Sequence, residues 1–308
     1  EKEIARAVAI AAAHPQAVRM IVVGNEVMLR REMPPEKLAG LIRSVKERTG
    51  KPVTYADIYE FWRRNARVLG DAVDVVTIHV LPYWDDPTPV GIDAVQAHVR
   101  GIIERARVTF AGKALQIGEI GWPSAGRTRG GAAPSRVNEA RFLREFARQA
   151  TAIGLPYNII EGVDQTWKRV PEGTVGGYWG ILDADRNAKF ALTGPVSEWP
   201  RWPRAAAVSV LGAVLALAAA LLAGRTLPVW RWGALAAAGA TGAGVWLGFA
   251  DQAAHFAIGL QGGLWVTWLG LVAALGGIIA VRRAGGWPTP PDAEIAAYRW
   301  MVLVPGAM

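Results

Sequence analysis

The sequence predicts an α/β unit built on a parallel sheet, followed by an all-α membrane-spanning unit. Two patterns carry this. Up to residue 203, short runs rich in Val and Ile alternate with charged segments of helical period, the signature of strand–helix repeats with helices outside a parallel sheet. Beyond that point charge nearly vanishes: of 34 Lys and Arg, those from residue 204 onward are Arg204, Arg225, Arg231, Arg282, Arg283 and Arg299. The expected domains are therefore a soluble one over 1–200 and a transmembrane helical one over 204–308.

The chain opens at Glu1, not Met, inside a helix-like segment and without a signal peptide, so it is expected to be a piece of a longer polypeptide. Strands are predicted at 17–23, 52–56, 73–80, 114–118 and 157–160, and helices at 36–48, 59–69, 92–107 and 136–153. The strand runs are short, continuous and β-branched, as strands buried on both faces are. The polar residues of interest come after the strands, at the carboxyl edge, where active sites of parallel α/β folds form.

Two glutamates stand out there. Glu26 lies in Val-Val-Gly-Asn-Glu-Val at 22–27, and Glu119 in Ile-Gly-Glu-Ile-Gly-Trp-Pro-Ser at 117–124. An isolated glutamate is most often a salt-bridged surface residue. A pair held at two strand ends suits glycosidic bond cleavage, where one carboxyl protonates the leaving oxygen and the other meets the positive charge on the sugar.

Other chemistries find less support. The net charge of +8 comes from basic residues interleaved with acids, so no nucleic-acid partner is expected. The absence of cysteine excludes disulfides and thiolate metal sites. His79 with Asp85 and Asp86 has no metal-ligand spacing, and the glycine pairs 130–131 and 176–177 lack the context of a phosphate loop. No metal or cofactor is expected. Arg127, Arg129 and Arg136 flank a Gly/Ala/Pro loop that reads as solvated, with steering of substrate as the alternative.

Val-Gly-Asn-Glu-Val at 23–27, Leu-Pro-Tyr-Trp at 81–84, Gly-Glu-Ile-Gly-Trp-Pro-Ser at 118–124, Asp-Gln-Thr-Trp-Lys at 164–168 and Gly-Tyr-Trp-Gly at 177–180 occur in that order. Together they resemble glycoside hydrolase family 17, the β-1,3-glucan-active enzymes, over roughly residues 1–195. The wording at 78–84 is closer to its bacterial members. The resemblance implies a TIM (β/α)8 barrel and a retaining mechanism, with Glu26 as acid/base after strand four and Glu119 as nucleophile after strand seven. Glu26 is then expected to be pushed up by the neighbouring Glu119 anion.

The same resemblance implies substrate contacts. Asn25 would bond a sugar hydroxyl or orient the nucleophile. Tyr83 would bond Glu119 or a sugar, with core packing as its alternative. Trp84, Trp122, Trp167 and Trp179 would offer ring faces to glucose, about half of them in contact. Glu161, Asp164 and Lys168 would form a polar substrate-side cluster, or an ion pair without substrate. One departure stands out. Three strand–helix units should precede strand four, yet only about one helix does, so a partial barrel of about five βα units is expected, its first units missing.

Uncharged runs at 205–223, 233–250 and 257–281 are each long enough to cross a bilayer. Trp199, Trp202, Trp230 and Trp232 lie at their ends like an aromatic belt. Gly244/Gly248 and Gly259/Gly263 offer close helix approach, and 295–304 is a candidate fourth span. Arg225 and Arg231 in the first connection and Arg282 and Arg283 after the third span put those segments in the cytoplasm. The catalytic domain then faces outward from a bacterial inner membrane, although Arg201 and Arg204 run against this. The expected partners are a β-glucan, the lipid bilayer and a glucan synthase. The expected activity is retaining hydrolysis of β-1,3-glucan. The alternatives are glucanosyl transfer that elongates or branches chains, and a non-catalytic glucan-binding module of a synthase complex.

Overall fold

The computed structural model describes residues 2–257 and 259–288, which fall into two compact units dividing between Val196 and Ser197. The candidate span at 295–304 lies outside the described residues.

The first unit is half a barrel. After α1 (Lys2–Ala13) come β1 (Ile21–Asn25), α2 (Pro35–Thr49), β2 (Val53–Ile58), α3 (Tyr59–Arg64), α4 (Ala66–Gly70), β3 (Val75–Val80), α5 (Pro82–Asp85), α6 (Val95–Thr109), β4 (Ala114–Ile120), α7 (Arg136–Ala152) and β5 (Tyr157–Ile159). The five strands are parallel and lie in chain order, as strands joined by successive helical crossovers do. Leu38, Ile42 and Val45 of α2, Trp62 of α3, Val99 and Ile103 of α6, and Phe142 and Phe146 of α7 join Tyr55, Val76, Ile78 and Ile117 of the sheet in one buried cluster. Each such side chain contributes about 1.5–3 kcal/mol through burial.

Several boundaries differ from the sequence reading. The helix expected over 59–69 breaks at Asn65, whose Nδ2 donates to the Phe61 carbonyl at 2.9 Å and so competes with the helical ladder. β4 runs on to Ile120, so Glu119 lies within the strand rather than beyond it. A second small sheet was not foreseen. β6 (Glu161–Val163) and β7 (Gly180–Leu182) pair in parallel, with the short helix α8 (Arg169–Glu172) between them. Strands of three residues are too short to show a period.

This small sheet is tied to the barrel by a buried lysine. Lys189 is 6% exposed, and its Nζ lies 2.7 Å from Ser124 Oγ, 3.0 Å from Asp164 Oδ1 and 3.2 Å from Glu139 Oε2. Burial pushes Glu139 up to about 8 and raises Asp164, while the Lys189 charge opposes both shifts. Replacing Lys189 with Met would take from two buried acids the cation that pairs with both. The expected loss is about 3–5 kcal/mol, read as a lowered midpoint in urea unfolding at neutral pH.

Among the described residues the second unit holds α9 (Trp202–Leu222), α10 (Val229–Phe256) and α11 (Gly259–Ala284), three helices long and apolar enough to cross a membrane. α10 packs against both of the others. The connection expected over 251–256 is helical, because α10 continues through it. The close approaches also differ from those expected. A Cβ at Gly212 or Gly239 would collide with the other's carbonyl oxygen, so α9 and α10 touch backbone to backbone there, and Gly242 meets Gly277 between α10 and α11. Of the predicted glycines, Gly244 faces Ser209, whereas Gly248, Gly259 and Gly263 meet nothing within 4 Å. Spacing on one helix does not reveal which glycines its neighbour covers.

Candidate active site

Both glutamates are delivered by irregular strand ends. In β1, Val22 pairs with Thr54 but Asn25 with Ala56, so β1 takes three steps where β2 takes two. Such a bulge bends a strand and re-aims the residues after it. Gly24 makes it possible with φ +92, and Glu26 itself sits at φ +54, a region a side chain occupies at a cost of about 1–3 kcal/mol. Its N–H still donates to Ala56 at 2.8 Å.

The register of β3 and β4 slips in the same way. Ile78 pairs with Ile117, but His79 pairs with Glu119, which leaves Gly118 as the extra residue. A Cβ on Gly118 would lie 2.7 Å from Thr77 Cγ2 and 2.8 Å from His79 Cε1. The glycine therefore makes room for the imidazole beside Glu119.

The two slips bring the acids together. Oxygens of Glu26 and Glu119 and a ring nitrogen of His79 all lie within 4.8 Å of one another. Arg30 Nη2 bonds Glu26 Oε2 at 2.7 Å. His79 Nε2 is 2.9 Å from Asn25 Oδ1 and 3.9 Å from Glu119 Oε1. Burial, aided by the Arg30 charge, lowers His79 to about 4, so near neutral pH it is an uncharged ring whose Nε2–H donates to Asn25.

The sequence reading put the upward push on Glu26. The structure carries such a push on Glu119, raised to about 7, chiefly by burial and then by the Glu26 charge, with Lys168 opposing. Burial falls on the strand residue, while the residue after the bulge meets Arg30, so Glu119 is the carboxyl that desolvation raises.

Asn25 thus orients His79 through its Oδ1, and its NH2 group has no partner among the described residues. Tyr83 is buried and donates to the Arg127 carbonyl at 2.6 Å rather than to Glu119. Of the four tryptophans, Trp84 at 37% and Trp167 at 66% exposure can present a face. Trp179 is buried beneath Trp84, their rings stacked 6.4 Å apart. Trp122 is fully buried against Phe142, with its indole N–H on the Ala133 carbonyl. It is a packing residue. Glu161 pairs with Lys168, beside the exposed Trp167 ring, whereas Asp164 is turned inward to Lys189 and the Gly180 N–H.

His79, Asp85 and Asp86 do not converge on a common point. Asp85 accepts from the Leu81 N–H at 2.6 Å, and Asp86 pairs with His98 at 2.7 Å. Glu26, His79 and Glu119 are near enough to share a cation, but Arg30 and Asn25 already engage the first two. Arg129 is tied to the Tyr83 and Trp84 carbonyls and Arg136 to that of Lys189, so this loop is braced rather than freely solvated.

Two residues that the sequence offers only as a rejected metal set stand near the pair. Asp85, pushed up to about 8 by burial, adds a third carboxyl to the field of Glu26 and Glu119. The neighbours of His79 are Asn25 and Glu119, not Asp85 and Asp86. Strand alternation, which puts His79 on the opposite face to Val76, Ile78 and Val80, was the available signal.

Residues 1–180 match the model of the BtgE/BtgC glycoside hydrolase domain. Among curated proteins, a glucan 1,3-beta-glucosidase of Candida albicans is 24% identical over 57% of this chain and 63% of its own. A probable beta-glucosidase btgE of Aspergillus oryzae is 28% identical over 54% of this chain and 27% of its own. The chain thus spans less than two thirds of the length of these fungal relatives. Among solved structures, a glycoside hydrolase family 17 β-1,3-glucanosyltransferase from Rhizomucor miehei is similar at TM-score 0.50 and 28% identity, over 56% of this chain and 62% of that one. Its active-site mutant in complex with laminaritriose gives TM-score 0.50 at 27% identity. An endo-laminarinase from Formosa shares the fold at TM-score 0.53 and 22% identity, over 62% of this chain and 61% of that one.

Proposed function

The chain belongs to the BtgE/BtgC glycoside hydrolase domain family, and from that premise we propose that it cleaves β-1,3-glucan with retention of configuration, through Glu26 and Glu119. The observation that carries this is the approach of the two carboxylates to within 4.8 Å. Retaining glycosidases hold theirs about 5–5.5 Å apart, whereas inverting ones leave room for a water.

A Glu119 carboxylate oxygen attacks the anomeric carbon. The glycosidic C–O bond breaks, and the leaving oxygen takes a proton from Glu26. An acceptor hydroxyl then gives its proton to Glu26 and attacks the anomeric carbon, which releases Glu119. The leaving oxygen takes the place of Arg30 beside Glu26. Asn25 bonds a sugar hydroxyl with its amide N–H2. Trp84, supported by Trp179 and Tyr83, and Trp167 with Lys168 and Glu161 offer the sugar-binding surface. Trp122 and Asp164 brace it from inside.

Water as acceptor makes the reaction hydrolysis; a second glucan makes it glucanosyl transfer. Similarity to the Rhizomucor miehei glucanosyltransferase favours transfer as the second reading. Residues 1–200 form the catalytic domain and 204–308 the membrane anchor, which crosses a bacterial inner membrane with the catalytic domain outside. A β-glucan-producing synthase in the same membrane is the partner.

The test is product analysis. The detergent-solubilised chain is given a β-1,3-gluco-oligosaccharide, and the first products are followed by NMR and mass spectrometry. Shorter β-anomeric products support hydrolysis, and longer or branched ones support transfer. First-formed α-anomers rule out retention, and binding without turnover rules out catalysis.

A further inference from the structure

The turn that presents Glu26 is held from beneath by a carboxylate on the neighbouring strand. Asp57, the next-to-last residue of β2, is fully buried. Its Oδ2 accepts from the Met28 N–H at 3.2 Å and the Leu29 N–H at 3.3 Å, and its Oδ1 from the Ile58 N–H at 2.8 Å. Tyr55, also fully buried, donates its hydroxyl to Asp57 and accepts the Met28 N–H at 2.9 Å. Thus two backbone N–H groups just past Glu26 converge on one carboxylate–phenol pair.

The conformation of Glu26 needs such a hold. Its positive φ is unfavourable for a side chain, and Gly24 and Arg31 on either side also have positive φ. Strained backbone persists where its surroundings over-determine it. The Met28 and Leu29 N–H groups would otherwise be satisfied by water or by a relaxed turn, and either would release the φ of Glu26. A carboxylate accepts from several donors at once, and bonds of this charged kind are stronger than neutral ones. An amide at position 57 would turn its own donors toward donors.

We infer that Asp57, braced by Tyr55, is a positioning residue that holds the Glu26–Leu29 turn so that the Glu26 carboxyl meets the leaving oxygen. This rests on Glu26 being the acid/base.

The test compares two substrates of the same β-1,3-linked glycone. One is an oligosaccharide, whose alcohol leaving group needs a proton. The other is a 2,4-dinitrophenyl glycoside, whose leaving group does not. Asp57→Asn is expected to lose about 100-fold in kcat/KM on the oligosaccharide and less than about threefold on the dinitrophenyl glycoside. Tyr55→Phe should show the same skew, smaller, and carries the test if Asp57→Asn does not fold. Equal losses on both substrates, or none, overturn the inference. Glu26→Ala is run alongside: without a skew there, the acid/base reading itself fails. Amide hydrogen exchange then decides the clamp. Met28 and Leu29 are expected to exchange at least about tenfold faster in Asp57→Asn, and unchanged rates overturn it.

Discussion

Glu119→Gln is expected to lower kcat/KM on a β-1,3-gluco-oligosaccharide by on the order of 10⁵-fold, since it removes the attacking oxygen of the covalent intermediate. An unimpaired variant would end the nucleophile assignment. The pH behaviour of the wild type adds a second arm. Glu119 attacks only when ionised, and burial beside Glu26 holds it near 7. Productive attack also needs one proton left in the pair for the leaving oxygen, so kcat/KM on the oligosaccharide is expected to fall as pH rises through about 7. The stability effect runs the same way. A carboxyl raised from 4.5 to about 7 on folding binds its proton more tightly in the native state, so its contribution is full below about pH 4.5 and lost as pH rises through 7. Glu119→Gln removes this penalty. It should be more stable than wild type above pH 7, by on the order of 3 kcal/mol, and lose that advantage below about pH 4.5. A melting series across this range reads the difference, and a gap that does not depend on pH contradicts the shift.

Glu26→Ala is expected to cost about 10²–10⁴-fold on the oligosaccharide, the usual contribution of a positioned general acid. Its signature is selective. With a good leaving group the first step needs no proton, so the glycosyl-enzyme should accumulate and break down slowly. A small anion such as azide, which needs no general base, should then restore turnover and leave a β-glycosyl azide. An α-azide product would contradict retention; loss of both steps alike would assign Glu26 to structure.

The order and type of the sheet elements were readable because continuous Val/Ile runs have one physical use in a chain with amphipathic helices between them, burial on both faces. The two glutamates were readable because each sits in a glycine-bearing motif. What was not readable is the reason for those glycines. Gly24 and Gly118 mark register slips, and a slip is a relation between strands that no single strand records. The tryptophans divide for a similar cause. Trp84, Trp122, Trp167 and Trp179 look alike in sequence, but exposure is set by Phe142, Tyr83 and the small second sheet, whose strands are too short to announce themselves.

Asp57 and Lys189 make the point most sharply. An aspartate at a strand end and a lysine after a turn are ordinary surface residues by type, yet both are buried. Composition and periodicity determine which segments leave water, and so they determined the parallel sheet, the three apolar helices and the acid pair. Which of the two acids burial raises, which glycines touch across helices, and which carboxylate holds the Glu26 turn were decided by tertiary structure. Desolvation and hydrogen bonding depend on distances between segments, and these exist only once the chain has folded.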